Sequence, residues 1–505
     1  MVESFIERVS SSYSPKGDFI HLGAGILNQQ IIKEAAVKLP LASMNRHGLI
    51  AGATGTGKTR TLQLISEQLS DKGVPVFMLD VKGDVSGLAT PGPVNDKLLE
   101  RAEAVGIEFK PQGFPIELFS LSGKNGVPMR LNVDDFGPVL LARILDLNET
   151  QSGILSVLFK YSDDHRMPLV TLEDLKKLLG YLSQGPGAAE IKGDYGTISS
   201  ASSGAILRKI VAVEQQGLGG IFGEVSFDVM DLIQLKDGKG VISLLNISDM
   251  QDKPIVFSTF LLSLLARLFK ELPEVGDLDK PKLVFFFDEA HLLFNKASKN
   301  LLAQIEQIVR LIRSKGVGVF FCTQAPTDIP ESVLGQLGSR VQHALRAFTP
   351  KDADNLKKTV KTYPVSDFYQ VDQELTSLGT GQALITVLNE KGIPTEVVST
   401  HLVPARAIMG PANLSKCEDI IRGSKFYDKY QHKQEINGAG AIVDQKIAQF
   451  EAAEARAKNN KPANTRRRSA RQTPLETAKT TAARESVKIL GRIANQILTS
   501  FFKKK

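Results

Sequence analysis

The chain has 505 residues, 42% of them hydrophobic, enough for a large core and two to three domain-sized units. Its two cysteines, Cys322 and Cys417, exclude a disulfide framework, and no Cys/His cluster has zinc spacing, so a reducing cytoplasm is the expected location. The net charge of +7 is local: residues 441–505 hold 15 Lys/Arg against 5 Asp/Glu, which leaves residues 1–440 at −3 and gives the main body no basic face for nucleic acid by composition.

Met1–Lys16 is polar and lacks the apolar core of a signal peptide. His47–Ala51 reads as a short buried strand, and Leu62, Ile65 and Leu69 recur at helical spacing until Gly73. Between them stand Gly52, Ala53, Thr54, Gly55, Thr56, Gly57, Lys58 and Thr59, which fit the phosphate-binding pattern G-x-x-x-x-G-K-S/T. Glycines let the backbone wrap phosphates with its N–H groups inward, and the helix N-terminus adds a positive dipole end. ATP with Mg²⁺ is therefore the expected ligand. Lys58 is suited to the β- and γ-phosphates, the Thr59 hydroxyl to Mg²⁺, and Arg60 closes the contact segment.

Pro75–Leu79 reads as a second buried strand, ending at Asp80, where helix capping and a place behind the metal or water are equal readings. Phe136–Leu147, Gly153–Tyr161, Leu172–Leu182 and Ala205–Gln215 are helix candidates, and residues 132–235 read as a helical subdomain inserted into an α/β core. After the strand Val241–Ile247 comes the apolar stretch Ile255–Leu272. Its run before Arg267 is too short to span a bilayer, so a buried helix is expected.

Leu283–Phe287 reads as a buried strand with Asp288 and Glu289 at its C-terminal end. Asp288 is suited to hold Mg²⁺ and Glu289 to polarise the attacking water, a pairing that predicts a hydrolase. The helix Leu301–Ile312 leads to the strand Val317–Cys322, and Gln324 beyond it is a candidate sensor of the γ-phosphate. Val341–Ala347 is a further strand candidate, bracketed by Arg340 and Arg346. Either arginine could serve the γ-phosphate of a neighbouring subunit, Arg340 being preferred, or make a structural salt bridge. His291 is assigned no catalytic step.

Gln382–Leu388 and Thr395–Leu402 look like an antiparallel hairpin on the sheet's edge. Strands alternating with helices predict a mainly parallel α/β sheet wrapped on both faces. The expected division is 1–131 and 236–437 for the two parts of the core, 132–235 for the insertion and 438–505 for a basic, flexible tail. Within that tail Leu490, Ile493, Ile497 and Phe501 share a helical face that could meet a neighbouring subunit, a membrane surface or its own domain.

Gly52–Thr59, Leu79–Asp84, Phe287–Phe294 and Cys322–Pro326 together resemble the bacterial HerA-like ATPases. Gly335–Phe348 looks like the YjgR branch of that group. The resemblance covers roughly residues 15–435. It implies a RecA-like core of the HerA/FtsK superfamily and a hexameric ring that moves DNA or protein. By position it makes Lys58 and Thr59 phosphate and Mg²⁺ ligands, Asp288 and Glu289 the metal and water site, Gln324 the sensor and Arg340 the trans arginine. One departure is plain: about 47 residues precede the first motif strand, too few for the N-terminal β-barrel that HerA carries. A DNA helicase or translocase is the leading expectation, with a protein-handling or conjugation-type traffic ATPase and a nucleotide-switched scaffold as alternatives.

Overall fold

The computed structural model describes residues 1–294, 297, 299–432 and 437–459. The chain divides into two compact units, Met1–Ile447 and Ala448–Lys505. The described part of the second continues the helix Ala439–Asn459. The sequence suggested disorder or a loose helix there, and its Ala, Glu, Gln and Lys are strong helix formers. The amphipathic segment around Leu490–Phe501 lies outside the described residues.

The first unit is built on one long sheet. Its strands begin with β1 (Phe19–Leu27), β2 (Gln30–Pro40), β3 (Gly48–Ala51), β4 (Val76–Asp80), β5 (Ile116–Ser120) and β6 (Val127–Pro128). A separate ribbon, β7 (Leu235–Lys236) and β8 (Lys239–Gly240), precedes β9 (Ile242–Asn246), β10 (Leu283–Phe287) and β11 (Val317–Thr323). Then come β12 (Ser339–Gln342), β13 (Gln382–Thr386) and β14 (Val398–Leu402). The sheet order is β2-β1-β14-β13-β12-β3-β11-β10-β4-β9-β5-β6. From β12 to β6 every pairing is parallel. The four strands beyond β12 are antiparallel.

Two readings from sequence need correction. The β13/β14 pair is antiparallel but not at the edge, because the N-terminal hairpin β1/β2 adds outside it and covers β14. The strand expected at Val341–Ala347 begins earlier, at Ser339, and stops at Gln342. His343 then turns away beneath the P-loop, as described below.

Alternation along the central strands sorts their side chains to two faces. Phe77, Phe285, Phe287 and Phe321 point to one face, with ring centroids 4.6 Å apart for Phe77–Phe285 and 5.4 Å for Phe287–Phe321. Each such burial stabilises by about 1.5–3 kcal/mol. This face is covered by the helix Pro254–Glu271, buried nearly all round, and by helices drawn from residues 133–215. Arg267 ends that apolar run without spanning anything: its Nη1 donates to Phe227 O at 2.6 Å. On the opposite face Ile50, Met78, Val284 and Phe286 pack under the helix Lys58–Asp71. No helix among the described residues is long and apolar enough to cross a membrane.

Candidate active site

Parallel pairing brings the C-terminal ends of β3, β11, β10 and β4 to one rim. The register Ala51↔Thr323, Phe287↔Phe321 and Met78↔Phe286 sets Gly52 level with Gln324, and Asp288 level with Asp80. Residues more than 200 apart in sequence thus become neighbours.

The P-loop leaves β3 under a tight constraint. A Cβ on Gly52, whose φ is 156°, would stand 2.5 Å from the Cβ of His343, so only glycine fits. Ala53 N–H donates to Ala344 O at 2.9 Å, and Thr56 Oγ1 donates to Ala53 O at 2.7 Å. Lys58 Nζ reaches back along the loop to Gly52 O at 2.7 Å and Ala53 O at 3.2 Å. Its ammonium therefore lies at the mouth of the loop, with a third donor left for an incoming oxyanion. Thr59 and Arg60 follow in the first turn of the helix.

The acidic pair sits where β10 ends. Glu289 N–H donates to Asp288 Oδ1 at 2.9 Å, and Ala290 N–H to Cys322 O at 2.8 Å. Glu289 takes φ 50°, a left-handed conformation that costs about 1–3 kcal/mol for a side chain of this size. Asp288 is pushed above the usual carboxylate range, first by burial and then by the Glu289 charge. Lys58 and a bond from the Cys322 thiol oppose that shift. Burial drives the thiol itself well above its ordinary range, so it is a neutral donor here. Glu289 Oε2 is buried without a hydrogen bond, with His291 Nδ1 3.3 Å away at ion-pair distance.

These residues fit Mg²⁺ and a nucleotide. A carboxylate oxygen without a hydrogen bond, a half-buried acid of raised pKa and an ammonium converge on one glycine-lined loop.

Gln324 is exposed on the same rim. It lines a cleft of about 350 Å³ with Ala53, His291, Arg346, Lys351 and Asn355. Asp80 is 1% exposed, and both its oxygens are engaged by the loop that follows: the N–H groups of Gly83, Asp84 and Val85 donate at 2.8, 3.0 and 3.2 Å. It shapes that loop, and burial pushes its pKa up to about 6.

Arg340 is not brought to this rim. It stands at the start of β12, where Nη1 donates to Thr362 O at 2.8 Å and the guanidinium lies 5.9 Å from the Tyr363 ring centroid. It lines a different cavity, about 600 Å³, at the N-terminal ends of β3 and β12. Arg46, Arg310, Arg313 and Lys361 share it, and no carboxylate is among the described residues lining it.

Sequence reasoning missed His343. The ring is fully buried, with Nδ1 3.0 Å from Gln382 O and Nε2 2.9 Å from Thr61 Oγ1. A carbonyl can only accept, so Nδ1 carries the proton and Nε2 accepts from Thr61. Burial holds the pKa down at about 4. His343 is thus a neutral prop tying β12 and β13 to the P-loop helix. Its position one residue past a strand parallel to β3 was the available signal, and the misplaced strand end concealed it. Arg143 was missed too: it reaches from the helix Val133–Ile144 to donate to Leu292 O at 3.1 Å, just past the acidic turn.

Residues 26–504 match the family model described as helicase HerA-like C-terminal. Among curated proteins, the chain is 24% identical over 385 residues to the DNA double-strand break repair helicase HerA of Sulfolobus acidocaldarius. That match covers 71% of this chain and 66% of the relative. It is 25% identical over 386 residues to the protein of the same name from Saccharolobus solfataricus, covering 75% and 68%. The chain thus spans about two thirds of the length of the curated relatives it matches. Among solved structures it resembles the bacterial conjugative coupling protein TrwBdeltaN70, with a TM-score of 0.50, 14% identity, and coverage of 80% of this chain and 92% of that one. That likeness is one of fold, and it accords with the mainly parallel, RecA-like α/β architecture described above.

Proposed function

The chain belongs to the helicase HerA-like C-terminal family, and from that premise and the geometry of the rim we propose that it hydrolyses ATP to drive movement along DNA. The observation that carries this reading is the meeting of Lys58, Asp288 and Glu289 at adjacent ends of parallel strands. Lys58 and the loop N–H groups hold the β- and γ-phosphates, and Thr59 and Asp288 hold Mg²⁺. Bound there, the metal would neutralise charge on the phosphates. Glu289, whose buried Oε2 has no hydrogen bond, orients and deprotonates the attacking water. Gln324 reads the γ-phosphate from the cleft side.

DNA as the polymer is supported by the curated relatives, which are named DNA double-strand break repair helicases. We further propose a homo-oligomeric ring, a hexamer by resemblance, in which the arginine-lined cavity meets the phosphates held by the next copy. Arg340, with Arg310 and Arg313 beside it, supplies charge to that transition state. Within the family we place the chain in the YjgR branch on Gly335–Phe348, and in the cytoplasm on its two free cysteines. The helical section at 132–235 is proposed as a subdomain inserted in the core.

The test is Glu289→Gln. Loss of a general base should lower turnover about 10²–10⁴-fold while ATP binding is retained. Unchanged turnover would remove Glu289 from that role. Double-stranded DNA should raise wild-type ATPase at low salt, and a complete lack of binding or stimulation there would count against a DNA motor.

A further inference from the structure

Beside the first turn of the P-loop helix lies a small cavity, about 180 Å³, that the phosphate chemistry does not use. Gly57, just before that helix, and Arg60 and Leu64 on its successive turns form one wall. Leu98 and Arg101 form the second, from the helix Asp96–Ala104, and Pro404 contributes to the third. Whole small-molecule sites run to about 300–1,000 Å³. This one suits a single ring system attached to something held elsewhere.

Arg101 is arranged as a flat platform. Its Nε donates to Leu402 O at 2.9 Å and its Nη2 donates to Gly381 O. Guanidinium hydrogen bonds lie in the plane of the group, so these two bonds do not themselves occupy its faces. Burial holds Arg101 below its usual range with no acidic neighbour opposing the shift. A Cβ on Gly381 would come within 2.6 Å of Arg101 Nη2, and Gly381 N–H donates to Thr56 O at 3.3 Å. One residue therefore links this cationic platform to the P-loop.

We propose that this cavity receives the heterocyclic base of the nucleotide, with the Arg101 guanidinium stacked on the ring and Leu98 and Pro404 as apolar walls. The proposal rests on the nucleotide reading of the P-loop. A planar cation on a π face attracts it, most strongly where water is excluded. The ligand class is a nucleoside di- or triphosphate in preference to a bare polyphosphate, and a two-ring purine covers more of the platform than a pyrimidine.

Calorimetric titration of the full chain with ATP and with tripolyphosphate, each with Mg²⁺, separates base from phosphate contacts. Arg101→Leu should weaken ATP about tenfold, about 1.4 kcal/mol, and leave tripolyphosphate within about twofold. Because Arg101 also ties down two carbonyls, Leu98→Trp is the second variant. Leu98 is half-buried, so the larger ring fills the cavity with the Arg101 bonds intact, and it should produce the same selective loss. Equal loss of both ligands in Arg101→Leu without selective loss in Leu98→Trp would overturn the proposal and make Arg101 a prop for the loop. Unchanged ATP affinity in both variants would overturn it as well. A wild-type chain that binds neither ligand would remove the P-loop reading along with it.

Discussion

Strand β3 is four residues long, about 13 Å, and its two ends carry opposite chemistries. On the rim at the C-terminal end stand Asp80, Asp288 and Glu289, with Lys58 acting on Asp288. At the N-terminal end Arg46, Arg310, Arg313, Arg340 and Lys361 line one cavity with no carboxylate among the described residues there. The rim is mainly acidic and the cavity mainly basic, with Asp277 3.7 Å from Arg313 at its border. The sheet keeps them apart within one chain. A head-to-tail contact between copies would join them, which is how the ring proposal follows from charge.

The largest expected effect tests that joining. Arg340→Ala should lower turnover about 10³-fold, as loss of a trans arginine does, while ATP binding is kept. Mixing it with Glu289→Gln subunits should restore part of the activity, since one interface type would again hold both groups. No recovery on mixing would return Arg340 to its bonds with Thr362 and Tyr363 as a structural residue. Arg346→Ala, on the cleft side with Gln324, should show no such rescue.

A second test separates the rim's own scaffold from its charges. His343 titrates at about 4 in the fold against an ordinary 6.5. The stability its neutral ring contributes is fully present above pH 6.5 and is lost as pH falls toward 4. The difference corresponds to about 3 kcal/mol. His47 and His401 are held at about 4 as well, so acid lability over this window is shared. His343→Gln keeps a donor and an acceptor without the titration, and chemical denaturation from pH 7 to 4 should show a flatter fall. An unchanged slope would mean that His343 is not protonated on unfolding.

Gly52→Ala attacks the same contact from the loop side. With 2.5 Å to the His343 Cβ, the loop or β12 must shift, at about 1–3 kcal/mol. Nucleotide affinity should fall along with the melting temperature. Retained affinity would show that the loop tolerates displacement.

What the sequence revealed follows the same division. The phosphate rim was legible because its residues end strongly apolar strands: Leu283–Phe287 is read at its true limits, and Asp288 and Glu289 follow directly. The cationic end was not legible. Its arginines come from separate elements, and only the parallel packing of β3, β11 and β12 collects them. β12 itself begins with Ser339 and Arg340, polar residues that hide a strand. The N-terminal hairpin escaped for a local reason. Its turn places Asn28 and Gln29 at φ 51° and 64°, the geometry that usually advertises itself as Asn-Gly. Gln29 in that place carries no turn signal.

The smallest expected effect comes from Asp80, where two terms oppose. Its folded pKa of about 6 exceeds the ordinary 3.8 because burial disfavours the charge. The protonated form's contribution is therefore fully present below pH 3.8 and lost as pH rises through about 6. Asp80→Asn removes that loss. It also leaves one oxygen to serve three N–H donors, and an unserved buried donor costs about 1–3 kcal/mol. Near pH 7 the terms nearly cancel, so the melting temperature should move little, whereas below pH 4 the variant should be the less stable. A loss as large at pH 7 as at pH 4 would mean that the carboxylate's hydrogen bonds outweigh its burial. Asp80 would then resemble a fixed anion holding the loop, and the rim's negative charge would be greater than the raised pKa values imply.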